Sequence, residues 1–356
     1  MMNARDAVTE GWRNLVSGTG RPLAVAMALT LCATVLLGLD VRSVALLVTR
    51  AHAFQDAGGS TLILETGQQV DAAACQRLAS LTDVQGAAAV SLGSRTVHPA
   101  MLPQQSVPLI RATASMADIV GAHPDGAGVW LSSEAAESLG VGVGSTLVLD
   151  RLTTRVAAVY AYPEDGRRPG LGYAVIEPVP ADGAFDECWV RSWPVNTAII
   201  PALTATAFHP APEQSQRHFS QLNGSLGADF KGAQELAQRP SAPTPLAALA
   251  AGLLIGYAAW WLRRLELASA RHAGVPRRAS WLTAMVEQLI LLSVAWVWGA
   301  AVALVAVRDL DSLDAWQVLP FAARVLLAIT LGALLGSTIA VVSVKERQLF
   351  DYFKGR

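Results

Sequence analysis

Residues 22–39 read PLAVAMALTLCATVLLGL, a run without a single charge. A helix of that length rises about 27 Å at 1.5 Å per residue, close to the roughly 30 Å hydrocarbon core of a bilayer. Three more stretches share the character: 245–262 (PLAALAAGLLIGYAAWWL), 288–307, which extends N-terminally past Glu287 to about Trp281, and 325–344. Backbone in lipid has no water to bond, so each is expected to be a helix. The four runs account for a composition that is 52% hydrophobic and only 15% charged over 356 residues, where globular chains carry about 25% charged residues. A net charge of -1 offers no global basic field, so nucleic acid is not expected as a partner.

Basic residues orient the spans. Arg5, Arg13 and Arg21 precede the first; Arg263, Arg264, Arg271, Arg277 and Arg278 lie between the second and third; Lys345, Arg347, Lys354 and Arg356 follow the fourth. Those segments hold twelve of the 27 basic residues, which makes them and both termini cytoplasmic by the positive-inside rule. Trp260, Trp261 and Trp281 fall at the same edge, where amphipathic rings prefer to lie. The long segment between the first two spans then faces outward. No small-x-small cleavage site follows the first run before Asp40, so that span is expected to be retained. Ahead of it, Ala4, Val8, Trp12, Leu15 and Val16 share a helical face, as in an amphipathic helix lying in the interface.

The outward segment alternates short apolar runs with Gly and Pro. Strand character is expected at 61–64, 107–112, 129–131, 146–149 and 155–160. Helical spacing appears at 71–81, opening on Asp71 as N-cap, and at 133–139, closing on Gly140. Strands mixed with helices in no strict βαβ order predict an α+β domain. Residues 213–239 are polar and weakly helical, suited to a stalk returning to the membrane. Chemistry is sparse: the chain has no GxxxxGK[ST] loop, HExxH, GxSxG or CxxC, so neither catalysis nor a metal site is expected. His98, His123 and His209 each precede proline, which is turn chemistry. Cys32 lies within the first span as an apolar filler. Cys75 and Cys188 share the outward segment, where a disulfide is chemically permitted and two buried thiols are the alternative.

The topology resembles the MacB/FtsX-like permeases of ABC transport systems. Two stretches carry the likeness further. Residues 264–292, RLELASARHAGVPRRASWLTAMVEQLILL, are similar to the family's cytoplasmic pattern, with Arg264, Glu266, Arg271, Gly274, Arg278 and Glu287 at its positions and Arg277 beside them. Residues 129–149, VWLSSEAAESLGVGVGSTLVL, resemble its outer core: strand, short helix, LG turn and a second strand. The third span departs from the pattern with Trp296, Trp298 and Ser293, and the tail lacks the usual proline.

The resemblance implies a four-helix membrane bundle with an α+β extracytoplasmic domain inserted between helices 1 and 2. The expected plan is an interface helix (1–21), first span (22–48), outer domain with stalk (49–243), second span (244–263), coupling segment (264–280), third span (281–307), outer loop (308–320), fourth span (321–344) and cytoplasmic tail (345–356). It implies a plasma-membrane protein that forms a homodimer or a heterodimer with a related permease. A separate ABC ATPase subunit would hold the ATP and Mg, and this chain would carry no cofactor. The implied mechanism is mechanotransmission, in which ATP-driven movement of the spans shifts the outer domains to export or extrude a molecule. Two other outputs fit the same sequence: ATPase-coupled signalling that activates a cell-wall hydrolase through an extracytoplasmic partner, and a membrane-anchored binding protein without coupling.

Several residues have roles of their own on physical grounds. Gly274 and Pro276 end one helix and bend the chain before the next. The arginines of 263–280 would otherwise serve topology and contact anionic membrane lipid. Glu287 is costly in lipid, so it pairs with a loop arginine, reaches the interface or takes part in coupling. Gly252 and Gly256, and Gly332 and Gly336, form two GxxxG patterns that let helix backbones approach closely, within one subunit or between two. No span has a line of polar groups for a solute path.

Overall fold

A computed structural model describes residues 4–17, 21–92, 95–150, 152–195, 198–208 and 217–345. The expected tail cations Arg347, Lys354 and Arg356, and His209, lie outside the described residues. The chain forms two compact units, Met1–Arg50 with Gly232–Arg356, and Ala51–Lys231.

In chain order the elements are α1 Ala4–Val16, α2 Pro22–Asp56, β1 Thr61–Asp71, α3 Ala72–Arg77, β2 Val84–Ser91, β3 Thr96–Val97, β4 Val107–Thr113, α4 Met116–Val120, β5 Val129–Ser132, α5 Ser133–Leu139, β6 Thr146–Leu149 and β7 Leu152–Tyr160. There follow β8 Val175–Val179, β9 Ala184–Ser192, α6 Ile199–Thr204, β10 His218–Gln221, α7 Gly232–Gln238, α8 Thr244–Trp261, α9 Arg264–His272, α10 Arg277–Ala306 and α11 Ser312–Ser343. Four of these helices, α2, α8, α10 and α11, are long and apolar enough to cross a membrane. In sequence the sheet-forming segment lies between α2 and α8.

The helical unit is built on the closest backbone contact available to helices. A Cβ on Gly252 or Gly256 would run into the backbone of Ile329 and Ala333, and one on Gly332 or Gly336 into that of Leu249 and Leu253. Both GxxxG patterns therefore face each other across one α8–α11 seam, as small residues one turn apart allow. These contacts lie within the chain. Helix α2 buries Leu29, Ala33, Leu37, Val41 and Val44 in a core with Leu292, Ala295, Val325 and Ile329. Its Leu23, Met27, Leu31, Val35 and Leu39 are exposed at fourfold spacing, an apolar stripe that suits lipid. Trp296 Nε1 donates to Thr330 Oγ1 at 2.9 Å and so joins α10 to α11.

The second unit is a mixed sheet of ten strands among the described residues, in the order β10-β1-β9-β2-β4-β8-β5-β7-β6 with β3 on β4. Pairing is antiparallel except for β4–β8 and β5–β7. Successive side chains leave opposite faces: Ile63, Ala88 and Trp189 pack on one, Leu64, Ala87, Ala89, Cys188 and Val190 on the other. Cys75 and Cys188 are bonded, tying α3 to β9 with Cα atoms 5.8 Å apart. Asp71 caps α3 by accepting from Ala73 N at 2.9 Å and Ala74 N at 3.2 Å. Phe54, Trp193 and Phe230 form a ring cluster, with centroids 5.7–6.3 Å apart.

Three expectations are corrected. The segment 213–239 contains a strand, β10, which pairs with β1, because its His218–Gln221 backbone completes a sheet edge. The loop expected over 308–320 is helical from Ser312, where the chain follows Asp311 and buries Val318. The helix of the third span, expected from 281, begins at Arg277, so Arg277 and Arg278, expected in the coupling segment, belong to the first turn of α10.

Candidate functional site

The polar residues of the second-to-third connection converge on one junction in the helical unit. Helix α8 ends at Trp261, and Arg263 occupies the turn before α9 with its guanidinium 4.5 Å from the Trp260 ring centroid. Arg263 Nε donates to Glu266 Oε2 at 2.8 Å, and Nη1 to Glu287 Oε2 at 2.7 Å. The other oxygen of Glu287 accepts from Asn14 Nδ2 of α1 at 2.7 Å. The two helices can approach because Gly11 has no side chain: a Cβ there would lie 3.3 Å from Val286 Cγ1 and 3.4 Å from Glu287 Cγ. One carboxylate on α10 thus collects donors from α1 and from the α8–α9 turn. A carboxyl group buried this far demands such partners.

The rest of α9 is fastened from the other side. Arg271 is buried and donates Nη1 to Val344 O and Nη2 to Val341 O. Val341 belongs to the last turn of α11 and Val344 is its C-cap, and carbonyls at that end of a helix dipole attract a cation. Helix α9 then stops abruptly. Gly274 adopts φ +88°; its N–H bonds Arg271 O at 2.9 Å and the N–H of Val275 bonds Ala270 O at 3.0 Å. That is a Schellman stop, which favours glycine at the left-handed position. Pro276 follows in extended conformation as the N-cap of α10.

The residues singled out in sequence over 264–287 therefore have places. Glu266 and Glu287 meet at Arg263, and Arg271 is turned inward onto α11. Arg264 lies 5.8 Å from the Trp261 ring centroid. Arg277 and Arg278 are exposed in the first turn of α10, which holds no acidic residue. Cations at a helix N-terminus oppose the macrodipole, so their position costs stability rather than supplying it. Sequence reasoning left open which loop arginine Glu287 would meet and missed Asn14 as a member of the site. Arg263 carried a usable signal, an arginine directly behind a Trp-Trp span end; Asn14 carried none.

A second buried pair precedes α8. Asp40 is fully buried, and its Oδ1 accepts from Arg239 Nη2 at 3.0 Å and Nε at 3.2 Å. Arg239 also donates to Leu236 O at 2.6 Å and lies 5.1 Å from the Phe321 ring centroid. The hydroxyls of Ser43 and Ser241 are hydrogen-bonded beside it.

In the sheet unit the buried Glu187 accepts from Trp189 Nε1 at 2.7 Å and pairs with Arg168 Nη1 at 2.9 Å. Burial pushes its carboxyl above the usual carboxylate range, outweighing both of those partners. Tyr162 is pushed up to about 12, again by burial first. Among the described residues no group of three or more His, Cys, Asp and Glu side chains is placed to hold a metal ion.

No protein-family model matches the chain. No curated protein matches it by sequence. Among solved structures the chain is similar to the periplasmic region of MacB from Actinobacillus actinomycetemcomitans, at 14% identity and a TM-score of 0.36 over 49% of this chain and 92% of that one. It is also similar to a domain from a Porphyromonas gingivalis protein described as a permease, at 12% identity and a TM-score of 0.34 over 51% of this chain and 99% of that one.

Proposed function

We propose that the chain is the membrane permease subunit of an ABC transport system of the MacB/FtsX-like type. In this reading the sheet unit is extracytoplasmic, both termini and α9 are cytoplasmic, and two copies, or one copy and a related permease, work with two separate ATPase subunits. Those subunits hold the ATP and Mg; this chain hydrolyses nothing. The observation that carries the reading is the fastening of α9. A short basic helix follows α8 directly, is held to α10 through Arg263 and Glu287 and to α11 through Arg271, and leaves Arg277 and Arg278 exposed beside it. A push on such a helix has a direct route into three spans. The further proposal is that the spans relay it outward to expel a molecule on the far side.

Affinity capture of the intact chain from its native membranes tests this. The expected result is a co-purified nucleotide-hydrolysing subunit, ATPase activity in the complex, none in the chain alone, and release of the subunit on Arg277→Glu with Arg278→Glu. Recovery without any such subunit, or a complex indifferent to both charge reversals, overturns the proposal.

A further inference from the structure

Beside the junction, a groove of about 550 Å³ runs between the first turns of α2 and the last turns of α8. Its walls are made of small or aliphatic side chains, among them Ala24 and Ala28 on α2, Ile255 and Ala258 on α8, and Leu262 just after it. Alanine where a span would ordinarily carry leucine is what leaves the space. Charge is confined to one end, where Arg21, Arg263 and Glu266 line the groove. Two of the three charges are accounted for, since Arg263 pairs with Glu266 and Glu287. Arg21 is exposed at the foot of α2 and adds a positive charge at the mouth. From Arg21 to Ala28 the groove follows α2 for about 10 Å at 1.5 Å per residue.

We propose that this groove seats one acidic phospholipid, its acyl chain along the alanine walls and its phosphate on Arg21. Two properties select that occupant. A lipid-facing groove lined by apolar groups is filled by hydrocarbon, because a void forfeits the dispersion contacts of its lining. Arg21, the lining cation that stands outside the Arg263–Glu266–Glu287 cluster, then selects an amphiphile with an anionic head, as basic pockets between spans do for acidic lipids. The inference rests on α2 and α8 spanning a membrane and not on ATP coupling. Loss of lipid selectivity with an intact ATPase complex overturns this inference alone; loss of the ATPase with selectivity intact overturns only the coupling.

The test uses the full chain in detergent, offered phosphatidylglycerol and phosphatidylcholine with identical acyl chains, and counts retained lipids by native mass spectrometry. Phosphatidylglycerol is expected to be retained about fivefold better, the factor that one arginine near a headgroup supplies. Arg21→Gln should bring that ratio close to one without reducing phosphatidylcholine retention. Ala24→Leu with Ala258→Leu, both at exposed positions where added bulk is compatible with folding, should reduce retention of both lipids. Equal retention by the native chain, a ratio unchanged in Arg21→Gln, or displacement of the lipid by millimolar inorganic phosphate overturns the proposal. So does a leucine pair that leaves lipid retention intact while converting a dimer to monomers, which would give the groove to a helix of a second copy.

Discussion

Helix α8 is bracketed by two buried arginine–carboxylate pairs, and they are wired differently. Before it, Asp40 depends, among the described residues, on Arg239: both guanidinium contacts fall on Oδ1, and Oδ2 has no hydrogen-bond partner there. After it, Arg263 serves two carboxylates and Glu287 draws on two donors from different helices. The first pair is a single clamp with no alternative. The second is branched, so Arg263 and Glu287 each keep a partner when the bond between them breaks. A clamp suits a fixed anchorage of the segment leading into α8. A branched junction tolerates the loss of one contact better.

Both ends hang from the α8–α11 seam, so the largest effect is expected there. Gly252→Leu or Gly332→Leu drives a side chain into the facing helix backbone and should abolish a monodisperse folded species in size-exclusion chromatography. Leu254→Ala, on the exposed side of the same helix, should leave the elution profile unchanged. Survival of either glycine variant as a native-like monodisperse species would mean that the seam does not hold the unit together.

Next come the two arginines. Arg239→Ala strands the fully buried Asp40 and should cost about 3–5 kcal/mol, the usual penalty for orphaning a buried charge. Adding Asp40→Ala should recover most of it, because removing both partners is far less costly than removing one. Arg263→Ala should cost clearly less in thermal unfolding, since Asn14 still donates to Glu287. Equal losses in the two single variants would erase the distinction between clamp and branch.

Glu187 offers the same contrast outside the spans. Its carboxyl is raised above its ordinary 4.5 by burial, so above that pH the unfolded chain releases the proton first. The folded state then binds more protons than the unfolded, and stability falls as pH rises through the window from 4.5 up to the folded value. Glu187→Gln should flatten that slope of melting temperature against pH, read by calorimetry. An unchanged slope would assign the pH dependence to another group.

How much of this was legible in sequence follows the physics. Long uncharged runs and the placement of arginines gave the four helices, because length and composition suffice for spans. The GxxxG glycines were visible as a motif, but their partner was not, since nothing local says which helix lies opposite. Strand β9 went unread although it runs between β1 and β2. Its sequence, AFDECWVRS, carries acids that look solvent-bound until Arg168 and the Trp189 indole are seen to satisfy Glu187. Asp40 and Arg239 are 199 positions apart, and a pairing at that separation leaves no periodic trace. The helix stops were the opposite case, because Gly140 and Gly274 announce themselves by residue type.

Those two stops allow the finest comparison. Gly140 ends α5 in the sheet unit with φ +65°, and Gly274 ends α9 with φ +88°. Both make the same Schellman pattern: Val141 N bonds Ala136 O at 3.0 Å, as Val275 N bonds Ala270 O. Neither has any atom within 4 Å of where a Cβ would stand, so alanine at either site pays only the left-handed backbone cost of about 1–2 kcal/mol. Gly140→Ala and Gly274→Ala should therefore lower the unfolding transition by matched amounts. If α9 is the element an ATPase pushes, only Gly274→Ala should also change ATP hydrolysis in the complex, because it alone loosens the stop between α9 and α10. A matched loss of stability with no difference in hydrolysis would leave Gly274 a helix terminator and nothing more.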